Sequence, residues 1–193
     1  MSRPALLFSL SLAVVAAGGM AAERAGRAQA QARQPLTNVR DPGPAPTWNN
    51  QSWLNADHPL TLDELKGRVV LLNFWVFTCY NCINTVPALK VIHREYRDRG
   101  LSVIGIHTPE FPPYAGEHEE SNVAAALRKE GIEYPNAQDN DHATWNLYGI
   151  RYWPSFVLID KRGQIRYEGY GEFHVNDRWH REWNRRIETL LAE

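Results

Sequence analysis

The sequence predicts an α/β fold, a central mixed sheet flanked by helices. Three observations carry that expectation. Val69–Phe77, stopping at Thr78, is a continuous run of apolar, β-branched and aromatic residues, the pattern of a strand buried on both faces. Leu101–His107 and Phe156–Ile159 repeat it, and the chain between them shows helical spacing of apolar residues. After the last of these, Asp160-Lys161-Arg162-Gly163 reads as a hairpin turn that sends Gln164–Tyr170 back as an antiparallel strand.

Composition limits the possibilities. The chain has 193 residues, 44% hydrophobic and 22% charged, which suits one domain with a substantial core. Its formal net charge of −1 offers no broad basic field for nucleic acid or an anionic membrane surface. The two cysteines are Cys79 and Cys82, so none is left for a separate structural disulfide or a second metal half-site.

From the start, Arg3 precedes an uncharged stretch, Pro4 to Ala22, with a small-x-small site at Ala28-Gln29-Ala30. Residues 1–30 read as an export signal peptide, with an uncleaved membrane anchor as the rival. Residues 31–47 are polar and then proline-rich, the composition of a linker, and the domain is expected over 48–193. Ser52-Trp53-Leu54-Asn55 suits a short edge strand. Thr61-Leu62-Asp63-Glu64 has the form of a capping box for one helical turn, ended by Gly67. Ile83, Val86, Leu89 and Ile92 then mark a helix that runs from Cys79 to about Asp98 and stops at Gly100. Glu119–Glu130 is helical, Tyr134–Gln138 a short strand, and Asp141–Tyr148 a short helix capped by Asp139 or Asp141. Asn176 or Asp177 caps a last helix whose inner stripe is Trp179, Trp183, Ile187 and Leu190.

The chemistry concentrates where the buried strand meets a helix, at Cys79-Tyr80-Asn81-Cys82. Unpaired N–H groups and the dipole at a helix N-terminus favour an anion, and so favour a thiolate. The i, i+3 spacing places both sulfurs on one face of the first turn. A plain disulfide clip is the bland alternative, but so short a loop gains little from closure. A zinc site lacks its second pair of ligands, and haem attachment needs a histidine where Ile83 stands.

Asn73-Phe74-Trp75, Cys79-x-x-Cys82, Pro87 and Trp153-Pro154-Ser155-Phe156-Val157-Leu158-Ile159-Asp160 together resemble the thioredoxin superfamily. The finer likeness, through Val103–Glu110, Asp139-Asn140 and Arg151-Tyr152-Trp153-Pro154, is to its exported TlpA-like branch and the DipZ-type domains within it. The resemblance implies a thioredoxin fold with one inserted helix, Glu119–Glu130. It implies an exported thiol–disulfide oxidoreductase in which Cys79 attacks and Cys82 resolves. It also implies a cis Trp153-Pro154 peptide facing the cysteines, with Trp153, Pro154 and Tyr80 meeting the substrate. Reductase chemistry is the leading direction, with cytochrome c maturation as one setting; a periplasmic oxidase is the alternative within the class.

Two departures stand out. Thioredoxins carry a buried Asp where this chain has Asn73, which cannot accept a proton from Cys82. Glu110, after the second buried strand, is the candidate replacement, and His107 the candidate that tunes Cys79. The Tyr80-Asn81 pair also matches neither the thioredoxin Gly-Pro nor the usual TlpA residues. A rival of another class is a copper carrier using Cys79, Cys82 and His107. A peroxidase is disfavoured, because Val76 stands where a peroxiredoxin has Thr or Ser. The expectation is therefore no cofactor, no metal and no nucleic acid. The partners are protein thiols and disulfides, with a membrane electron donor. The protein is expected to be monomeric and periplasmic or otherwise extracytoplasmic, soluble after cleavage or N-terminally anchored.

Overall fold

The computed structural model describes residues 37–38, 43–112 and 115–193, all within one compact unit, Pro35–Glu193. The expected signal or anchor over residues 1–30 lies outside the described residues.

The core of the fold is a seven-stranded sheet: β1 Thr37–Asn38, β2 Trp53–Leu54, β3 Val69–Trp75, β4 Leu101–His107, β5 Asn136–Gln138, β6 Ser155–Ile159 and β7 Ile165–Tyr170. Their spatial order is β1-β7-β6-β3-β4-β5-β2. Every residue of β3 is buried, as its unbroken apolar run requires. Its odd-numbered residues, Val69, Leu71 and Trp75, pack into one apolar layer and Val70, Leu72 and Phe74 into the other. β3 runs parallel to β4 and antiparallel to β6. This is the mixed sheet with an antiparallel edge that the sequence predicts, and it is a thioredoxin fold.

Four helices accompany the sheet among the described residues: α1 Tyr80–Tyr96, α2 Glu120–Glu130, α3 Ala143–Leu147 and α4 Arg178–Ala192. α1 runs through Pro87, whose ring faces solvent, and ends in a 3-10 turn closed by Gly100 at φ 105°. That left-handed backbone is the reason for a glycine there. α2 is the inserted helix. The Asp177 carboxylate accepts the His180 N–H at 2.7 Å and starts α4, which buries Trp183, Ile187 and Leu190. Both candidate aspartates cap α3: Asp139 accepts the N–H groups of Thr144 and Trp145, and Asp141 that of Ala143.

Two expectations shift. The domain does not begin at Trp48, because Thr37–Asn38 pairs with β7 and Pro44 bridges Gln164. Ala45 is buried, and Pro46 accepts the Tyr148 hydroxyl at 2.7 Å. The described part of the proline-rich stretch, 43–46, is held along the β6–β7 hairpin: the Ile165 N–H donates to the Gly43 carbonyl and the Ala45 N–H to that of Gly163. At Thr61 the reciprocal bonds of the capping box form, at 2.8 Å and 3.3 Å, but only turns follow them.

Candidate functional site

The strand directions place the site. β3 and β4 end side by side, Trp75 opposite His107, and the antiparallel β6 begins at the same edge, with Ser155 opposite Phe74. The chain therefore leaves β3 toward Cys79, leaves β4 toward Glu110, and enters β6 from Trp153-Pro154, all at the carboxyl edge of the parallel strands. Thr78, Cys79, Tyr80, Asn81, Glu110, Phe111, Arg151, Tyr152 and Trp153 line one open cleft there.

Cys79 is the N-cap of α1 and is half-buried in the cleft wall. Its Sγ accepts the Cys82 N–H at 3.2 Å, the bond a capping oxygen makes elsewhere. The two cysteines form a disulfide, Cα atoms 5.2 Å apart, so the structure is the oxidised form. Cys82 is only 2% exposed, under the first turn. One sulfur is thus reachable by a partner and the other by its neighbour. That asymmetry suits attack at the outer sulfur and resolution by the inner one.

The other expected site residues divide. Tyr80 is 77% exposed beside Cys79. Trp153 lines the cleft, stacks on Trp145 with ring centroids 4.0 Å apart, and donates its Nε1–H to the Thr108 carbonyl at 3.0 Å. The Trp153–Pro154 bond is cis, and Pro154 itself is buried behind Trp153. Asn73 is buried on the α1 side of the sheet, and its Oδ1 has no described hydrogen-bond partner.

His107 does not sit in the cleft as a charge that could tune Cys79. It is fully buried, its ring stacks on Phe77, and its Nε2 accepts the Phe77 N–H at 3.3 Å. Burial lowers its pKa to about 3, so the ring is neutral. Its task is to brace the backbone that leads to Cys79.

Glu110 lies at the cleft rim with its side chain exposed. The buried carboxylate of the site is Glu117, which the sequence reading missed. It is completely buried. It accepts the Thr78 hydroxyl, and its Oε2 accepts the N–H groups of Glu110 and Phe111, each at 2.7 Å. It thereby ties the residue before Cys79 to the opposite wall of the cleft. In sequence nothing separates Glu117 from Glu119 or Glu120 nearby. Among the described residues no cluster of His, Cys, Asp and Glu could hold a metal ion.

A sequence model of the AhpC/TSA family matches residues 41–168. The chain belongs to that family. Over 126 residues it is 44% identical to the protein DipZ of Mycobacterium tuberculosis, a match covering 64% of this chain and 18% of DipZ. The chain thus spans less than a fifth of that relative's length. It is 26% identical over 156 residues to the thiol-disulfide oxidoreductase YkuV of Bacillus subtilis, across 80% of this chain and 97% of that protein. Among solved structures, a thioredoxin-like superfamily protein superposes with a TM-score of 0.69 at 26% identity, covering 78% of this chain and 97% of its own. As a thioredoxin-like member of the AhpC/TSA family, the chain carries its cysteine pair where the fold presents a helix N-terminus to solvent.

Proposed function

We propose that this chain is an extracytoplasmic thiol–disulfide oxidoreductase acting as a reductase of protein disulfides. The observation that carries the reading is the asymmetry of the pair: Cys79 reachable at the helix N-cap, Cys82 buried one turn below. In the reduced form the Cys79 thiolate is held by the Cys82 N–H and the α1 dipole. It attacks a partner disulfide, forming a Cys79–partner bond while the partner's other sulfur leaves as a thiolate and takes up a proton. Cys82 then loses its proton and attacks Cys79 Sγ, which closes the disulfide and releases the second partner thiol. Two electrons pass to the partner, and a membrane donor restores the dithiol.

Trp153 and Tyr80, which line the cleft with Cys79, are the surfaces we assign to the partner segment, and Pro154, buried next to Trp153 in the chain, contributes through the backbone of the cis bond. The likeness to the TlpA-like branch supports the reducing direction, and cytochrome c maturation is one such setting. The apolar stretch within residues 4–22 supports export.

The test is reduction of insulin disulfides with dithiothreitol as electron source. Turnover is expected in the native protein and absent in Cys79→Ser, while Cys82→Ser accumulates a mixed disulfide through Cys79. Loss of that species, or full activity in Cys79→Ser, overturns the reading. Alkylation trapping in cells reports direction: a mostly reduced pair supports the reductase, a mostly oxidised pair an oxidase.

A further inference from the structure

Beside the cleft, across the ridge formed by Arg151 and Tyr152, lies a second pocket of about 200 Å³. Arg151 and Tyr152 line both, so an extended chain leaving Cys79 over the ridge would enter it. Its walls are aromatic. Tyr148, Tyr152 and Tyr170 face it, and the rings of Tyr152 and Tyr170 lie 5.0 Å apart, centroid to centroid. Tyr152 is 55% and Tyr170 43% exposed, although each is a large aromatic side chain. Tyr148 lines the pocket but is largely buried, its ring centroid 5.7 Å from that of Phe74 and its hydroxyl bound to Pro46.

One carboxylate stands among these rings. Glu168, on β7 opposite Val157 of β6, lines the pocket half-buried. It forms no described hydrogen bond or ion pair, and the exposed Arg151 does not reach it as a salt bridge. Burial raises its pKa, which means that its charge lacks compensation where it sits. The exposed rings of Tyr152 and Tyr170, lining the same pocket as one uncompensated carboxylate, favour a cation by ring quadrupole and by charge.

We infer that this pocket seats a lysine or arginine side chain of the protein whose disulfide meets Cys79, so that it selects partners with a basic residue near the reacting cysteine. The inference rests on the exchange reading above. Its charge logic is complementarity: a half-buried acid in an aromatic pocket, reached from the active cleft without leaving the surface. The long stem of such a side chain also suits the apolar walls.

The test uses single-cysteine peptide disulfides in pairs, with lysine or glutamine at each position flanking the cysteine, reduced by the full protein with dithiothreitol. At one or two positions lysine lowers KM about fivefold with kcat unchanged. Glu168→Gln erases the lysine-to-glutamine ratio, and Tyr170→Leu, which leaves the carboxylate in place, weakens it. The glutamine peptide measured with each variant is the internal reference for folding and exchange. No lysine preference at any position, or a preference that survives both variants, overturns the inference. Saturable binding of tetramethylammonium chloride without any lysine preference assigns the pocket to a small free cation and overturns it too. If no peptide is reduced at all, it is the exchange reading that fails.

Discussion

The Thr78 hydroxyl donates to the carboxylate of Glu117, 39 residues further along the chain. Thr78 precedes Cys79, and the same carboxylate accepts two N–H groups from the opposite wall. Glu117→Ala takes the acceptor away from three donors in part-buried bonds and empties a buried site. A loss of about 2–4 kcal/mol in urea unfolding is expected, since each buried unsatisfied group costs about 1–3 kcal/mol and some relax. Glu117→Gln keeps an oxygen for the two N–H groups and is expected to cost under about 1.5 kcal/mol, one ordinary hydrogen bond. Equal losses in the two variants, by the same measurement, contradict this assignment.

His107 makes stability sensitive to acid. Its folded pKa is about 3, against about 6.5 when unfolded. Between those values the unfolded chain binds a proton that the folded chain refuses, so stability is full above pH 6.5 and falls as pH drops toward 3. From pH 7 to pH 5 the fall from this group is about 2 kcal/mol, at about 1.4 kcal/mol per pH unit once below the unfolded pKa. A His107→Gln variant is expected to show a pH dependence shallower by that amount, read from urea midpoints at the two pH values. His93 and His180, whose pKa values burial also lowers, stay in both proteins and cancel in the comparison.

How much of this was legible in the sequence depends on distance along the chain. β3 and β4 are local signals, because strands buried on both faces must be apolar throughout. The Cys79–Cys82 pair was legible for the same reason: strand, breaker and helix follow one another directly. β1 was not, because a two-residue strand has no pattern of its own, and its pairing with β7 is decided by residues far away. Glu117 was not, because its meaning lies in Thr78, Glu110 and Phe111, which the fold brings to it. His107 was legible as a residue at the right edge, but its role stayed open between tuning Cys79 and a plain strand-end histidine, since sequence does not say whether a strand-end side chain turns into the core.

Gly105 shows how tightly β4 meets its neighbour. A Cβ on this residue would lie 1.8 Å from Asn136 Oδ1, the atom that accepts the Trp75 Nε1–H at 2.8 Å. Gly105→Ala must push that amide aside and break the bond to Trp75. A cost of about 2–3 kcal/mol is expected from overpacking and the lost partner. Asn136→Ala removes the obstacle while also leaving Trp75 unpaired. The double variant is therefore expected to be more stable than the sum of the single losses, by about 1–2 kcal/mol of coupling in a double-mutant cycle. Strict additivity means that Asn136 is not what Gly105 makes room for.

Trp153 is where the loop before β6 is tied to the end of β4. Its Nε1–H reaches the Thr108 carbonyl at 3.0 Å, and its ring lies on Trp145. Trp153→Phe keeps an aromatic ring for the stack and removes the donor, leaving the Thr108 carbonyl without that bond. Stability is expected to fall by about 1 kcal/mol, the worth of one hydrogen bond. The kinetic effect separates positioning from chemistry. A partner segment lying against Trp153 and Tyr80 loses a fixed wall, so KM for a protein disulfide should rise several-fold, while the step at Cys79, set by the α1 N-terminus, keeps its kcat. A small disulfide such as oxidised glutathione touches less of that wall, so its KM should change less. A fall in kcat with both substrates places Trp153 at the reacting sulfurs and removes it from the docking surface.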